Sequence, residues 1–204
     1  MSAYAIATRK LPVSLNLEQL LQRSQVSDPL VVEALVRQYH PLVYRLALSI
    51  LDDPDEAQDA AQEVFIAAIL NLNRYRGESS LKTWLYAIAL NTCRGYLRKR
   101  KARQALTRTW QSLQSLRARP PTPEESALRS EADAQLWAAV DALDEKHRLP
   151  IILRYAHSLS VPEIARILGV NEGTLHSRLH YARRKIEEQL SLAGVLKGNQ
   201  EAER

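Results

Sequence analysis

The segment from Ser160 to Lys185, SVPEIARILGVNEGTLHSRLHYARRK, constrains the fold of this chain more than any other. Ala165 stands where a first helix must approach a second one closely, and Gly169 supplies a turn residue that tolerates positive φ. Asn171 can cap the second helix, whose dipole then favours Glu172 in its first turn. The pattern predicts a helix-turn-helix. Its small core comprises the apolar residues Ile164, Leu168, Val170, Leu175 and Leu179.

The second helix of this motif is predicted to run from Glu172 to about Leu190 with two distinct faces. Apolar residues at helical spacing turn inward, namely Leu175, Leu179, Ala182, Ile186 and Leu190. The outer face suits DNA, because Thr, Ser and His reach phosphates or base edges and Arg binds guanine or phosphate. Its candidate contacts are Thr174, His176, Ser177, Arg178, His180 and Arg184, with Tyr181 nearby. The alternative is a merely solvated basic face, which the turn chemistry disfavours.

Charge and cysteine content narrow the class of protein. The net charge of +5 and a pI near 9.4 favour an anionic partner such as nucleic acid. Cys93 is the only cysteine, so one chain can form neither an internal disulfide nor a cysteine-built zinc site. We find neither a signal-peptide pattern nor a run long enough to span a membrane, and therefore expect a cytoplasmic protein.

The remaining pattern predicts an all-α protein of two small helical domains joined by a Pro-containing linker. Apolar residues recur at three and four positions, and alternating β patterns are missing from the sequence. A helix over Leu30–Leu51 is expected to kink or divide at Pro41. The expected organisation is a leader (1–28), a first domain (29–103), a linker (104–123), a second domain (124–190) and a tail (191–204).

An acidic helix follows, with Asp53 as its cap, Pro54 in its first turn and Glu56 completing a capping box. Its apolar stripe comprises Ala57, Ala60, Ala61, Val64, Phe65, Ala68, Ile69 and Leu72. Its outer face carries Asp55, Glu56, Asp59, Gln62 and Glu63. In a basic protein this face is either solvated or a docking surface for a basic protein partner.

A polar loop and a basic helix come next. The loop contains Arg74, Tyr75, Arg76, Gly77, Glu78, Ser79 and Ser80. The helix places Trp84, expected in the core, and Tyr86 ahead of a basic run, Arg94, Arg98, Lys99, Arg100, Lys101 and Arg103. Aromatic groups beside a basic stripe suit unstacked bases and a phosphate backbone. The alternative is a core aromatic pair and a frayed helix end.

Catalytic chemistry finds little support in the sequence. It has no Gly-rich phosphate loop and no nucleophile elbow. His176 and His180 have the spacing of zinc ligands, but Ser177 stands where a metalloprotease helix carries Glu, and a third ligand is not evident. We therefore expect no catalytic residue, no metal and no cofactor.

Two halves of the chain resemble one family in order and spacing, the bacterial RNA polymerase sigma factors of the extracytoplasmic-function group. The resemblance rests on Asp53–Ile69 (DPDEAQDAAQEVFIAAI), Tyr75–Lys101 (YRGESSLKTWLYAIALNTCRGYLRKRK) and Leu143–Ile186 (LDEKHRLPIILRYAHSLSVPEIARILGVNEGTLHSRLHYARRKI). Such proteins carry only region 2 and region 4. They catalyse nothing themselves and give promoter specificity and strand opening to the polymerase.

The resemblance also implies roles for residues and partners. Asp55, Asp59, Gln62 and Glu63 would dock on the clamp coiled coil of the largest polymerase subunit, and region 4 on the flap. The loop from Arg74 to Ser80 would hold a flipped base of the −10 element, with Asn91, Arg94 and Arg98 on the separated strands. Thr174, His176, Ser177, Arg178, His180 and Arg184 would read the −35 element. An anti-sigma factor, often membrane-bound, is the expected regulator, and no small-molecule substrate is expected.

Two other interpretations remain open from the residues alone. One is a polymerase-independent helix-turn-helix regulator with a helical sensing domain, which would usually bind a palindromic site as a dimer. The other is a helical adaptor without a DNA role. Neither accounts for an acidic helix, an aromatic and basic helix and a helix-turn-helix in one chain.

Overall fold

The computed structural model describes residues 29–111 and 131–192, with side chains for 29–104 and 133–192. Within these ranges the chain is helical and contains no β-strand, which confirms the all-α class. The predicted leader and the proline-rich part of the linker lie outside the described residues. The helices are α1 (Pro29–Leu51), α2 (Pro54–Leu70), α3 (Leu81–Gln111), α4 (Glu131–Asp141), α5 (Glu145–Ile151), α6 (Val161–Leu168) and α7 (Glu172–Leu192).

The first unit is a three-helix arrangement of α1, α2 and α3. Helix α1 passes through Pro41 without dividing, and Pro41 itself is exposed. Asp53 caps α2, because its carboxylate accepts the Glu56 backbone N–H at 2.8 Å. The buried face of α2 is largely alanine (Ala57, Ala60, Ala61 and Ala68), and such small side chains let packed helices approach closely.

Helix α3 spans Leu81–Gln111 and therefore runs eight residues past position 103, where the sequence pattern placed the end of the first domain. Ser80 begins it, since the Ser80 hydroxyl accepts the Thr83 backbone N–H at 3.1 Å. The weak apolar rhythm after 103 indicated a linker. Good helix formers after 103, among them Gln104, Ala105 and Leu106, continue the helix instead.

The second unit is formed by α4 to α7 and contains the helix-turn-helix. Gly169 has φ 65°, the left-handed conformation expected of the turn. Asn171 caps α7, since its side-chain oxygen accepts the Thr174 backbone N–H at 2.7 Å. The structure adds a capping box at α6, in which Ser160 and Glu163 bond reciprocally. The predicted core is confirmed, with Leu168 and Val170 partly buried against it.

A single cluster of buried side chains runs through both units, and helices α3 and α6 lie in contact. A π-helical turn over Ile152–Ala156 separates α5 from α6. Tyr155 stands at helical spacing from the buried Ile151 and Ile152, yet it is 58% exposed, because the π-turn shifts it out of the helical register.

Candidate nucleic-acid interface

Helix α7 presents most of its predicted DNA-contacting side chains to solvent. His176, Ser177, His180 and Arg184 are exposed, whereas Thr174 and Arg178 are half-buried. The opposite face packs inward through Leu175, Leu179, Ala182 and Ile186. Packing of these four residues fixes the direction of the polar face, so a rigid element carries the candidate contacts.

Three side chains on the outer face of α7, those of Tyr181, Arg184 and Ser177, have partners within the chain. The Tyr181 ring stacks on His147 with centroids 4.3 Å apart, which holds Tyr181 against the second unit. Arg184 lies 3.5 Å from the carboxylate of Glu188 one turn later. Ser177 donates to the Gly173 carbonyl at 3.1 Å. Partly exposed ion pairs of this kind are weak, so Arg184 can exchange Glu188 for phosphate or guanine.

The outer face of α2 is acidic at its start and apolar at its end. Asp55, Asp59, Gln62 and Glu63 are exposed, and Glu56 is half-buried. Two further positions at four-residue spacing from Gln62 continue the same face, Ile66 at 59% and Leu70 at 75% exposure. Sequence reasoning missed these two, although the 62, 66, 70 spacing was available. Exposed apolar groups rimmed by charge are typical of a protein-binding surface.

The basic part of α3 borders this acidic face. Arg100 pairs with Glu56, which therefore does not complete the capping box predicted at Asp53, and also donates to the Leu51 carbonyl at 2.9 Å. The Tyr96 hydroxyl donates to Glu63 at 2.8 Å. Burial, with the Glu63 carboxylate, raises the pKa of Tyr96 to about 12, so Tyr96 remains a donor. These bonds fix α2 and α3 at their shared edge.

The predicted −10 loop is a compact turn. It starts in a 3₁₀ turn over Leu72–Arg74, and Gly77 adopts φ 73°. The Tyr75 hydroxyl donates to the Ser79 carbonyl at 2.8 Å, which closes the loop. The loop side chains that face solvent are Arg74, Arg76, Glu78 and Ser80, whereas Tyr75 and Ser79 are half-buried.

A cavity of about 460 Å³ opens beside this loop. Two of the predicted DNA-contacting residues, Arg74 and Asn91, both line it. Its apolar wall comes from Trp84, Ile88 and Ala67, and its polar groups from Asn71, Arg74, Asn91 and Thr92. The Tyr75 and Trp84 rings lie 5.4 Å apart at 49°. A flat aromatic wall with nearby amide and guanidinium donors suits an unstacked base.

Trp84 and Tyr86, the aromatic residues near the start of α3, differ in burial from expectation. Trp84, expected in the core, is only half-buried and lines this cavity. Tyr86 is the fully buried member, with 1% exposure. Helical geometry explains the difference, because two positions along a helix turn a side chain by about 200°, and the buried face of α3 is set by Leu85 and Ala89 on either side of Tyr86.

The predicted basic strand-binding residues divide between solvent and internal contacts. Arg98, Lys99, Lys101 and Arg103 are exposed. Arg94 instead bonds the Glu145 carboxylate of the second unit at 2.8 Å. Half-buried Arg178 of α7 lies along the same groove between the units. Arg94 and Arg178 thus both lie at the groove between the two units, where they are only partly exposed.

The described residues contain neither a cluster of metal ligands nor a helix suited to a membrane. No group of three or more His, Cys, Asp or Glu side chains in this part of the chain is arranged to hold a metal ion. Among the same residues, no helix combines the length and apolar character that crossing a membrane requires.

Comparisons with known families match both units. Residues 35–103 match sigma-70 region 2, and residues 133–186 match sigma-70 region 4. The RNA polymerase sigma-H factor of Pseudomonas aeruginosa is 33% identical over 85% of this chain and 93% of its own length. The extracytoplasmic-function sigma-E factor of Escherichia coli is 32% identical over 84% of this chain and 92% of its own.

Solved structures agree with this assignment. The sigma factor RpoE of Bartonella quintana, crystallised with the anti-sigma factor NepR, shares 26% identity, covers 76% of this chain and 94% of its own, and gives a TM-score of 0.57. CnrH, solved with the cytosolic domain of CnrY, is 22% identical with a TM-score of 0.60 over 86% of this chain and 95% of its own, and supports the fold alone. The chain therefore belongs to the extracytoplasmic-function sigma factors of the sigma-70 family.

Proposed function

We propose that this sigma factor directs promoter-specific initiation by RNA polymerase and that three of its surfaces contribute. Region 2 spans 29–103 and region 4 spans 124–190 in this assignment. The acidic face of α2 binds core RNA polymerase, the cavity beside Arg74 holds a −10 base, and the outer face of α7 reads the −35 element. Polymerase supplies the chemistry, so the chain itself performs no catalytic step.

The observation that carries the proposal is the cavity at the end of α2. It brings Arg74 of the loop and Asn91 of α3 to one opening with Trp84 as its aromatic wall. A base can enter such a cavity only after it leaves the duplex, because stacked bases do not expose their faces. Capture of an extruded base at this position stabilises the separated strands, and exposed Arg98 and Lys99 lie farther along α3 to bind the backbone.

The polymerase surface is proposed on charge and on exposed apolar area. Asp55, Asp59 and Gln62 would meet basic side chains of the clamp coiled coil, while Ile66 and Leu70 would bury apolar surface beside them. Glu63 is already bonded to Tyr96, and it would contribute mainly by fixing the edge of this surface. Region 4 would make a second contact, on the polymerase flap.

On α7, the proposal separates base contacts from phosphate contacts. His176, Ser177 and His180 lie on the exposed face and can reach base edges or phosphates, with Arg184 at the end of the same face. Thr174 and Arg178 are less exposed, and Arg178 becomes accessible when the groove towards α3 opens.

We also propose that an anti-sigma factor binds and regulates this chain in the cytoplasm. The anti-sigma factor can be either soluble or anchored in the membrane. Support comes from the similar sigma factor RpoE, which was crystallised with the anti-sigma factor NepR. A polymerase-independent regulator is not favoured, because the relatives are RNA polymerase sigma factors and the match covers most of their length.

Run-off transcription with purified core polymerase and a library of promoter fragments tests the function directly. We expect specific transcripts only when both the chain and the core enzyme are present. Binding of the chain alone to a palindromic duplex, without any effect on initiation by core polymerase, would instead support the regulator. A variant that carries Trp84→Ala serves as the matched sample, because it should bind core enzyme yet open promoters poorly.

A further inference from the structure

His157 is a buried polar residue at the boundary between the two units, and none of the surfaces proposed above uses it. It follows the π-helical turn, and only 7% of it is exposed. Its Nε2 lies 3.2 Å from the Ser49 hydroxyl of α1, and its Nδ1 lies 3.2 Å from the Tyr86 hydroxyl of α3. One side chain of region 4 thus bonds two helices of region 2.

The surrounding bonds fix which nitrogen of His157 carries the proton. The Ser49 hydroxyl donates to the Leu46 carbonyl at 2.8 Å, so its oxygen is left to accept from the Nε2–H of His157. Nδ1 is then the unprotonated nitrogen, and it accepts the Tyr86 hydroxyl. Of the two neutral tautomers, only this one satisfies both ring nitrogens.

Further contacts between the units surround His157. Lys82 donates to the His157 carbonyl at 3.5 Å, and Thr83 donates to the Glu163 carboxylate at 3.4 Å. Glu163 also forms the capping box of α6, so the start of the helix-turn-helix is bonded directly to region 2. Arg94 and Glu145 add an ion pair farther along α3.

The backbone that presents His157 is itself unusual. Ser158 adopts φ 52°, a backbone conformation that is unfavourable for residues other than glycine. The turn is closed by the Leu159 N–H on the Leu153 carbonyl at 3.1 Å and by Arg154 on the Leu159 carbonyl at 2.8 Å. A turn held in this conformation by two bonds aims His157 away from its own helices and into region 2.

This packed arrangement cannot read a whole promoter. Elements centred at −10 and −35 are about 25 base pairs apart, or roughly 85 Å along B-form DNA at 3.4 Å per pair. A compact protein of about 150 residues has a radius of gyration near 15 Å and a diameter of roughly 40 Å. The cavity beside Arg74 and the outer face of α7 must therefore separate before both elements are bound.

We propose that His157 is the centre of an intramolecular latch that holds region 4 on region 2 in a closed, initiation-incompetent state. Core polymerase and DNA bind the open state and draw the equilibrium towards it. The requirement for opening rests on the proposed function, whereas the latch itself is a property of the free chain. Charge at position 157 opens the latch, because a cation there loses the acceptor for Tyr86 and lies near Arg45 and Lys82.

The latch is tested by distances in the full-length chain. Dyes are attached to cysteines introduced at Gln58 on α2 and Glu187 on α7, which are both exposed, in a Cys93→Ala background. His157→Lys is compared with Ala156→Lys, which adds the same charge at the adjacent, exposed position. We expect short dye-to-dye distances in the parent and in A156K. In H157K the population of the closed state should be lower by about tenfold or more, because the closed state would bury an unpaired charge.

A second variant guards against simple misfolding of H157K. Thr83→Val with Tyr86→Phe removes two latch bonds from the region 2 side without adding charge, and it should open the chain while retaining its helical circular dichroism. Long distances in the free parent chain, or unchanged distances in a folded H157K and in the double variant, would overturn the latch.

Transcription then separates the two proposals. If the latch and the proposed function both hold, H157K initiates several-fold better than the parent at limiting core polymerase. If distances respond but no variant initiates with core polymerase, the latch stands and the proposed function fails.

Discussion

The Tyr86 hydroxyl lies 3.2 Å from Nδ1 of His157, and the two rings meet edge to face at 89°. Burial raises the pKa of Tyr86, which keeps the phenol protonated and able to donate. Burial, followed by the positive charges of Arg45 and Lys82, lowers the pKa of His157 to about 4. Both shifts favour the same neutral pair, so proton uptake by His157 weakens the contact between the units.

We therefore predict that acid opens the chain between about pH 6.5 and pH 4. The closed state holds His157 neutral, whereas in the open state its pKa returns to about 6.5, so the open state binds more protons. The closed-to-open ratio should fall roughly 20-fold on lowering the pH from 7 to 5 and stay nearly constant above pH 7. Dye distances measured across this range provide the test.

Other charged groups face this contact and need a control. The bonds from Ser160 lower the pKa of Glu163, so Glu163 stays ionised until a lower pH and its stabilising bond is lost only as the pH falls through that lowered value. The charged or titratable groups around His157 are Arg45, Lys82, Tyr86, Arg154 and Glu163. His157→Gln cannot titrate, so a pH dependence that persists in H157Q would show that His157 is not its source.

A second prediction concerns the bond between Tyr96 and Glu63. The pKa of Tyr96 is raised to about 12 by burial first and then by Glu63, so replacing the carboxylate should bring phenolate formation to lower pH. Glu63→Gln should shift this one tyrosine and leave the others unchanged, as read by NMR of ring-labelled tyrosine. An unaltered Tyr96 titration in a folded E63Q would contradict the bond.

A third prediction concerns the acidic face of α2. Asp59→Lys with Gln62→Lys should weaken association with core polymerase by tenfold or more, because both positions would repel a basic partner. The matched control is Glu33→Lys with Gln38→Lys, which makes the same change in net charge at exposed positions of α1. Affinity for core enzyme is measured by fluorescence anisotropy, and equal losses in the two variants would indicate a general charge effect.

Much of the fold follows from sequence because its determinants are local. The cap at Asp53, the turn at Gly169 and the cap at Asn171 each depend on residues within four positions, and all three occur as predicted. The inward face of α7 follows equally well from helical spacing. Pro41 does not divide α1, because the packing of α1 on α2 and α3 outweighs the loss of one hydrogen bond.

The sites are less predictable because they are made by distant parts of the chain. Trp84 becomes a cavity wall only when the end of α2 packs beside α3, and His157 meets Tyr86 across 71 positions of sequence. A histidine after an apolar segment gives no local sign of such a partner. Ile66 and Leu70 differ, since their spacing from Gln62 did mark an exposed face.

A fourth prediction uses two glycines of the helix-turn-helix as a matched pair. Gly169→Ala should destabilise the protein by about 1 kcal/mol, because φ 65° is unfavourable for alanine, although its Cβ would meet no atom within 4 Å. Gly173→Ala should instead stabilise it by up to about 1 kcal/mol, since Gly173 is helical and its Cβ would make an ordinary 3.6 Å contact with Asn171. Urea unfolding of both variants measures the sign of each change in the free energy of unfolding. A G169A variant as stable as the parent would contradict the left-handed conformation of Gly169.

The last prediction concerns Trp84 as a stacking surface for a −10 base. Trp84→Ala should weaken binding of a single-stranded −10 oligonucleotide to the holoenzyme by roughly tenfold or more, since base stacking contributes about 1–3 kcal/mol per base. Trp84→Phe keeps an aromatic face and should recover most of the affinity. Binding to a −35 duplex, which uses α7, should not change in either variant. A folded W84A that binds the single strand as tightly as the parent would show that the base lies elsewhere.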